Sequence, residues 1–284
     1  MRVNTQIQTV LATATLMAVV TPLWAADPVL VAAKVDGTAP LGDPAGGYWN
    51  SAKPVEVAME AQTTVAPAQP VVTVTKLNVR AVQNGKFLGL LLEWRDGSAD
   101  NLLVTDGFGD QVAVEFPIDY KKDDLPNIMM GETGKPVSIW QWRAPLQHDK
   151  DKGKPTTRQL YPNSNYDLYP DQVLPAETSV LYTGAHGLGN PVSEGKRSAV
   201  MEMVAEGFGT LTHVGDQQRV DGGGVHQGGV WRVAMTYPLG AESGIQLAPG
   251  GETAVGFAVW DGGNKDVGSR KAWAATWLPL QLTQ

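Results

Sequence analysis

The segment Val230-Trp-Arg-Val-Ala-Met-Thr-Tyr-Pro-Leu239 decides the fold class. Its odd-numbered positions from Trp231 to Tyr237 are large and apolar, whereas Arg232 and Thr236 stand between them. This two-residue period is typical of an antiparallel strand with one face in the core and the other toward water. An amphipathic helix would instead repeat its apolar positions every three to four residues. The segment therefore predicts a half-buried β-strand.

Seven more segments have strand length and end at turn-forming residues. Asn84-Gly85 separates the first two as a hairpin turn would. Eight such segments without intervening helical repeats predict an all-β fold, an antiparallel β-sandwich with long loops and few short helices. The seven are Val71–Val82, Lys86–Asp96, Gln111–Ile118, Pro136–Ala144, Ala199–Glu206, Glu252–Trp260 and Lys271–Leu282.

Two segments interrupt this pattern. Residues 61–70 (AQTTVAPAQP) predict an irregular connection, and residues 145–198 form a long, polar connection rich in proline and glycine. A connection of that length is either a functional lid or docking surface, or a mobile excursion. We predict one domain over residues 26–284 that includes this connection.

Composition excludes several classes of protein. The 284 residues include 32 glycines and 19 prolines, which favours many turns, and the net charge of −7 argues against binding to nucleic acid or an anionic membrane. Cysteine is absent. Disulfides, thiolate nucleophiles, iron–sulfur clusters and covalently attached c-type haem are therefore impossible within this chain. Neither a GxSxG motif nor a cluster of metal-ligand spacing supports a hydrolase.

The N-terminus predicts export. Arg2 precedes an apolar stretch from Val10 to Val20, and the small residues Ala25 and Ala26 follow. We predict a signal peptide over residues 1–25, cleaved near Ala25 or Ala26, and a periplasmic mature protein. The apolar stretch is shorter than the ~20 residues of a membrane span. No other segment reaches that length, so we expect no span in the mature chain.

Two segments contain candidate ligands for a metal or cofactor. Met129 and Met130 precede Gly131 in a predicted loop, and Lys265 and Lys271 lie in a charged loop between two predicted strands. Methionine in a β protein normally fills the core, and lysine at a strand entrance is normally solvated. A thioether is also a good soft ligand for haem iron. The residues alone leave these interpretations open.

Four motifs in this order give the chain a family resemblance. They are Met-Gly with Pro136-Val-Ser-Ile-Trp-Gln-Trp142, Ala205-Glu-Gly-Phe-Gly-Thr-Leu-Thr212, Gly229-Val-Trp-Arg-Val233, and Phe257-Ala-Val-Trp-Asp-Gly262 with Arg270-Lys271. With the signal peptide and the absence of cysteine, the chain resembles the haem b-binding γ subunit of the type II dimethyl sulfoxide reductase family. This group includes ethylbenzene dehydrogenase and dimethylsulfide dehydrogenase. The resemblance covers most of the mature chain.

The resemblance implies one non-covalent haem b with an axial Met and an axial Lys. By position these are Met130 and Lys271, and Met129 and Lys265 are the competing choices. Trp140 and Trp260, with Trp142 and Trp273 nearby, are candidates for apolar walls of the pocket. A lysine must lose its proton to bind iron, so the site has to bury it. Two protein ligands leave no open iron position, which predicts an electron carrier rather than a catalyst.

The resemblance also implies partners. The chain would pass electrons between the iron–sulfur β subunit of a periplasmic molybdenum oxidoreductase, whose α subunit holds the molybdenum cofactor, and a c-type cytochrome or similar carrier. The alternative is a non-catalytic exported β-sandwich without haem that binds a carbohydrate or another small ligand through some of its nine tryptophans.

Overall fold

The computed structural model describes residues 28–164, 198–241 and 244–284. The strands are β1 (Leu30–Lys34), β2 (Val55–Ala58), β3 (Glu60–Ala61), β4 (Lys76–Gln83), β5 (Phe87–Arg95), β6 (Gln111–Pro117), β7 (Val137–Arg143), β8 (Val200–Ala205), β9 (Thr212–His213), β10 (Asp221–Gln227), β11 (Val230–Pro238), β12 (Glu252–Trp260), β13 (Ala272–Trp273) and β14 (Leu278–Leu282). The helices are α1 (Ala144–Lys152), α2 (Thr157–Leu160) and the 3₁₀ turns Gly47–Ser51 and Gly215–Gln217.

One strand joins two sheets. The first half of β12, Glu252–Val255, pairs with β14 in a sheet ordered β10-β11-β5-β4-β1-β14-β12. The second half, Gly256–Trp260, pairs with β6 in a sheet ordered β12-β6-β7-β8-β9. Strand β2 adds to β4 in the first sheet, and β13 links β12 to β3 in the second.

Aromatic side chains fill the space between the two sheets. Trp94 and Trp231 of the first sheet lie against Trp142 of the second, with ring centroids 6.4 and 4.9 Å from that of Trp142. Trp140 of the second sheet stacks on Tyr237 of the first at 4.9 Å. All five are buried. The structure is therefore a β-sandwich whose core is built around tryptophans.

The fold confirms the predicted class with one exception to its antiparallel pairing. Strand β1 runs parallel to both of its neighbours, β4 and β14. The hairpin at Asn84-Gly85 is present: the Asn84 N–H donates to Phe87 O at 3.2 Å, and Gly85 has φ +82°. In β11 the odd-numbered side chains from Trp231 to Tyr237 are buried, as predicted. Ala234 and Thr236 on the other face are buried too, so this part of the strand is buried on both faces rather than half-buried.

The sequence pattern missed the strands that carry few large apolar residues. Strands β1, β2, β3, β9 and β10 were not predicted, and β10 contains three consecutive glycines. The first predicted segment begins too early, since β4 starts only at Lys76. The last predicted segment, Lys271–Leu282, divides into β13 and β14, because residues 274–277 are not part of either strand.

Parts of other predictions fall outside the described residues. The predicted signal peptide is one of them, and so is most of the 145–198 connection, of which α1, α2 and residues up to 164 are described. Residues 62–75 are irregular apart from turns and bends, in agreement with the expectation for 61–70. No helix in the described part of the chain has the length and apolar character needed to cross a membrane.

Candidate functional site

A cavity of about 460 Å³ lies on the face of the second sheet that points away from the tryptophan core. Side chains at alternate positions of four neighbouring strands form one wall, because the register places them directly opposite one another. They are Gly256, Ala258 and Trp260 of β12, Glu115, Ala113 and Gln111 of β6, Ile139, Gln141 and Arg143 of β7, and Met203 and Met201 of β8.

Small residues create the space at the centre of this wall. Ala113 and Ala258 pair across β6 and β12, and Gly256 pairs with Glu115. A Cβ atom on Gly256 would lie 2.9 Å from Cδ1 of Ile128 on the opposite wall. The cavity has the size of a typical cofactor site, about 300–1,000 Å³.

A tight turn places Met130 in the opposite wall. The Met129 N–H donates to Asn127 Oδ1 at 2.9 Å, and the Gly131 N–H donates to Asn127 O at 2.9 Å. Met130 itself has φ +70°, a left-handed conformation that is strained for a residue with a side chain. Its carbonyl accepts from the Gly207 N–H at 2.7 Å, which fixes the turn to the loop after β8.

Lys271 enters the same cavity just before β13. Its Nζ lies 5.2 Å from the ring centroid of Trp260, within cation–π distance. Burial lowers the pKa of Lys271, and the negative charge of Glu115 partly offsets this effect. The cavity therefore favours a neutral amine at a position where an exposed lysine would be charged.

Glu115 is the buried acid beside these two residues. Burial raises the pKa of Glu115 to about 8, although the charge of Lys271 and a hydrogen bond from the Met130 backbone N–H act to lower it. Its Oε1 is buried without a hydrogen-bond partner. The shifts of Glu115 and Lys271 both favour uncharged groups in this part of the cavity.

A cation lies at another part of the wall. Arg143 Nε donates to Gln111 Oε1 at 3.1 Å, and Gln141 Nε2 donates to the same oxygen at 2.7 Å. Burial lowers the pKa of Arg143. No carboxylate among the described residues forms an ion pair with it. An arginine with only amide partners in a partly apolar cavity is a ready partner for an acidic group on a ligand.

The structure separates the predicted site residues into two groups. Met130, Lys271, Trp260 and Trp273 line the cavity. Met129 lines only an adjoining space of about 110 Å³, which Met130 and Lys271 border as well.

The remaining predicted residues lie elsewhere. Trp140 and Trp142 point into the core between the sheets, because they alternate along β7 with the cavity residues Ile139, Gln141 and Arg143. This placement corrects the expectation that Trp140 forms a pocket wall. Lys265 is exposed and outside the cavity, on a turn where its φ is +59°.

Sequence reasoning missed three polar residues of the site. Glu115, Gln111 and Arg143 lie in predicted strands, and the sequence pattern does not distinguish them from ordinary solvent-facing polar residues. The strand register would identify them, since all three lie on the face of the sheet opposite the apolar core.

A second concave surface, of about 670 Å³, lies on the first sheet. Four of its five charged residues pair with one another, Arg80 with Glu93 at 2.5 Å and Lys76 with Glu56 at 2.7 Å, and the fifth, Arg95, is exposed. It is larger than the cavity but offers no unpaired charge or candidate metal ligand of comparable burial, so the cavity on the second sheet is the candidate site.

Comparison with curated proteins gives two relatives. The chain is 26% identical over 232 residues to a putative respiratory nitrate reductase heme subunit from Haloferax mediterranei, covering 81% of this chain and 64% of that protein. It is 27% identical over 210 residues to the chlorate reductase subunit gamma of Ideonella dechloratans, covering 73% and 65%. The matches thus span just under two thirds of each relative.

Comparison with solved structures gives more distant neighbours. One is a family 9 carbohydrate-binding module from Caldicellulosiruptor kristjanssonii in complex with cellotriose, with a TM-score of 0.39 and 10% identity over 88% of this chain and 93% of that chain. Another is a putative carbohydrate-binding protein from Bacteroides uniformis, with a TM-score of 0.43 and 10% identity over 90% and 100%. Similarity at this level bears on neither ligand nor function.

The family comparison is decisive. The ethylbenzene dehydrogenase family model matches residues 47–272, which include every residue that lines the cavity except Trp273 and Ala274. This agrees with the family resemblance drawn from the sequence motifs, and the chain belongs to the ethylbenzene dehydrogenase family.

Proposed function

We propose that this chain is the haem-carrying electron-transfer subunit of a molybdenum oxidoreductase complex. The observation that carries the proposal is the meeting of Met130 and Lys271 at one cavity, although 140 positions separate them in the chain. The family match and the names of the two curated relatives, a heme subunit and a reductase gamma subunit, support it.

The donor set fits a haem with two protein ligands. Met130 offers a neutral thioether, and Lys271 an amine whose pKa is lowered by burial. The cavity between them is lined largely by apolar side chains, with Trp260 and Trp273 among them. Met130 borders both the main cavity and the adjoining space, whereas Met129 borders only the latter, which favours Met130 as the ligand.

Arg143 and Glu115 would complete the binding of haem b. Arg143 forms no ion pair with a carboxylate in the described part of the chain and would pair with a propionate of the haem. Glu115, with a pKa of about 8, would remain protonated at neutral pH and add no charge beside the neutral amine of Lys271. Met130 and Lys271 would hold the haem, which would supply one-electron transfer.

Partners and location belong to the same proposal. We infer one non-covalent haem b, an iron–sulfur subunit and a molybdenum subunit as partners, a c-type cytochrome or similar external carrier, and a periplasmic location after signal cleavage. Exposed apolar side chains near the cavity, Phe208, Leu211 and Val267, support contact with a protein partner.

The test is an absorption spectrum of the purified protein, oxidised and dithionite-reduced, with haem content measured by acid–acetone extraction. We expect the sharp reduced bands of a six-coordinate b-type haem. Met130→Ala and Lys271→Ala should each change the spectrum to that of a five-coordinate or water-ligated haem. Met129→Ala is the matched control and should leave the spectrum unchanged.

Two results would overturn the proposal. A well-folded protein that stays colourless after haem is added would favour the small-ligand module without haem. A haem spectrum that survives both Met130→Ala and Lys271→Ala would mean that other side chains bind the iron.

A further inference from the structure

A group of carboxylates lies in the loops at one end of the sandwich. Asp96 follows β5, Asp110 precedes β6, and Asp261 follows β12. One carboxylate oxygen from each of the three lies within 4.8 Å of the others. Asp96 and Asp110 are buried, and Asp261 is half-buried, so the group is reached from solvent on the Asp261 side.

No cation of the described chain balances these charges. Neither Lys nor Arg among the described residues forms an ion pair with any of the three carboxylates. A titratable base beside the group is His226, whose Nε2 contacts the backbone oxygen of Asp96 at 3.0 Å. Like charges at this separation repel strongly where water is excluded.

The hydrogen bonds leave one oxygen of the group without a donor. Asp110 accepts from the N–H groups of Asp100 and Gly262 and from the Trp231 indole, at 2.7–2.9 Å. Asp96 Oδ1 accepts from the Ser98 N–H at 3.1 Å. Asp96 Oδ2 is buried and has no protein donor, and the residue is only 6% exposed. A buried, unpaired carboxylate oxygen among other carboxylates is costly unless it binds a cation or a proton.

We propose that Asp96, Asp110 and Asp261 bind a Ca²⁺ ion. The donors are all oxygens, which suits a hard cation rather than zinc or copper. Oxygens that bind one Ca²⁺ ion at about 2.3–2.6 Å lie up to about 5 Å apart. The three carboxylate oxygens lie within 4.8 Å of one another, so one Ca²⁺ ion can contact all three. Ca²⁺ also accepts irregular coordination by carboxylates, whereas Mg²⁺ demands a near-ideal octahedron.

Hydrogen bonds fix the loop that begins at Asp261. Asp261 Oδ1 accepts from the Asn264 N–H at 3.0 Å, and the Asp261 N–H donates to Asp266 Oδ2 at 3.2 Å. Gln69 Nε2 donates to Asp266 Oδ1. The glycine at 262 allows close packing, because a Cβ there would lie 2.2 Å from Phe108 O.

The position of the site gives the ion a structural role. It would tie together three loops, and the one that begins at Asp261 continues to Val267, Gly268 and Lys271 in the cavity wall. The ion would thus hold the segment that delivers the cavity lysine. This inference does not depend on haem, because the three carboxylates lie outside the cavity wall.

The test is calorimetric titration of the EDTA-treated, desalted protein with CaCl₂, together with thermal unfolding with and without Ca²⁺. We expect one Ca²⁺ per chain and weaker binding of Mg²⁺. At a hundred times the Kd, the Tm should rise by about 5–10 °C. Asp96→Asn and Asp261→Asn should abolish the rise, whereas Asp106→Asn, an exposed aspartate of the same loop, should keep it.

A second measurement, the Tm of Asp96→Asn with and without Ca²⁺, distinguishes a cation site from a cluster that only has a structural role. Asp96→Asn removes a repelling charge, so it should raise the Tm of the Ca²⁺-free protein while lowering the Tm in Ca²⁺ relative to wild type. Absence of both binding heat and Tm shift with wild type at 10 mM CaCl₂ would overturn the proposal. So would a Ca²⁺ effect of equal size in Asp96→Asn and wild type.

Discussion

The replacement Arg143→Gln tests how the cavity recognises an acidic ligand. The guanidinium has one hydrogen-bond partner, Gln111 Oε1 at 3.1 Å, and no carboxylate partner among the described residues. Glutamine keeps a donor at the position of the arginine Nε but removes the terminal guanidinium nitrogens and the charge. A hydrogen bond to a charged group contributes about 1.5–3 kcal/mol, so we expect haem affinity to fall about 10- to 150-fold.

The assay is a spectrophotometric titration of haem-free protein with haem and, separately, with its dimethyl ester, which lacks the propionate charges. Arg143→Gln should weaken binding of haem and leave binding of the ester unchanged. Arg95→Gln, an exposed arginine on the other sheet, is the control for a general effect of charge. Equal losses for haem and ester would show that Arg143 acts on the shape of the cavity, and no loss for haem would refute its role.

Three other predictions concern the cavity, the methionine turn and the carboxylate cluster. Ala258→Leu fills the cavity wall, so haem content should fall at least tenfold without loss of thermal stability; a normal haem content would contradict this. Gly134→Ala meets no atom within 4 Å and should lower the free energy of unfolding by about 1–2 kcal/mol, because its φ is positive. Gly131→Ala also places a Cβ 2.8 Å from Lys135 O, so urea unfolding should show a larger loss. Equal losses would contradict this. Burial and the charge of Asp96 raise the pKa of Asp110 to about 7, so its protonation stabilises the folded state below its ordinary pKa of 3.8, and this contribution is lost as the pH rises through about 7. In EDTA, wild type should therefore lose more Tm between pH 4 and pH 8 than Asp110→Asn, and parallel losses would contradict the assignment.

The sequence predicted the parts of the fold whose pattern is strong. Strand β11 alternates large apolar and polar residues, and it lies where the pattern indicates. Strand β10, Asp221–Gln227, has almost no apolar side chains, because it is an edge strand whose glycines let Trp142 approach its backbone. The strand propensities of its residues cannot predict such a strand, because the neighbouring strand stabilises it through backbone hydrogen bonds.

The site was predictable only in part for a related reason. The motifs indicated Met130 and Lys271, and both line the cavity. Trp140 was placed on the wrong face, because the sequence of β7 is apolar on one side and mixed on the other, and no single-strand pattern says which side a cofactor would use. Arg143 and Glu115 became recognisable only when the register of four strands brought them to one wall.

The place of β1 between β4 and β14 has a consequence for biosynthesis. Residues 278–282 must pair with both Leu30–Ala32 and Glu252–Val255 before the first sheet is continuous. A nascent chain therefore cannot close this sheet until residues 278–282 have been synthesised, which delays folding and leaves apolar strands unpaired meanwhile. Truncations that remove Leu278–Leu282 should consequently trap the protein as a substrate for chaperones and proteases rather than yield a smaller folded product.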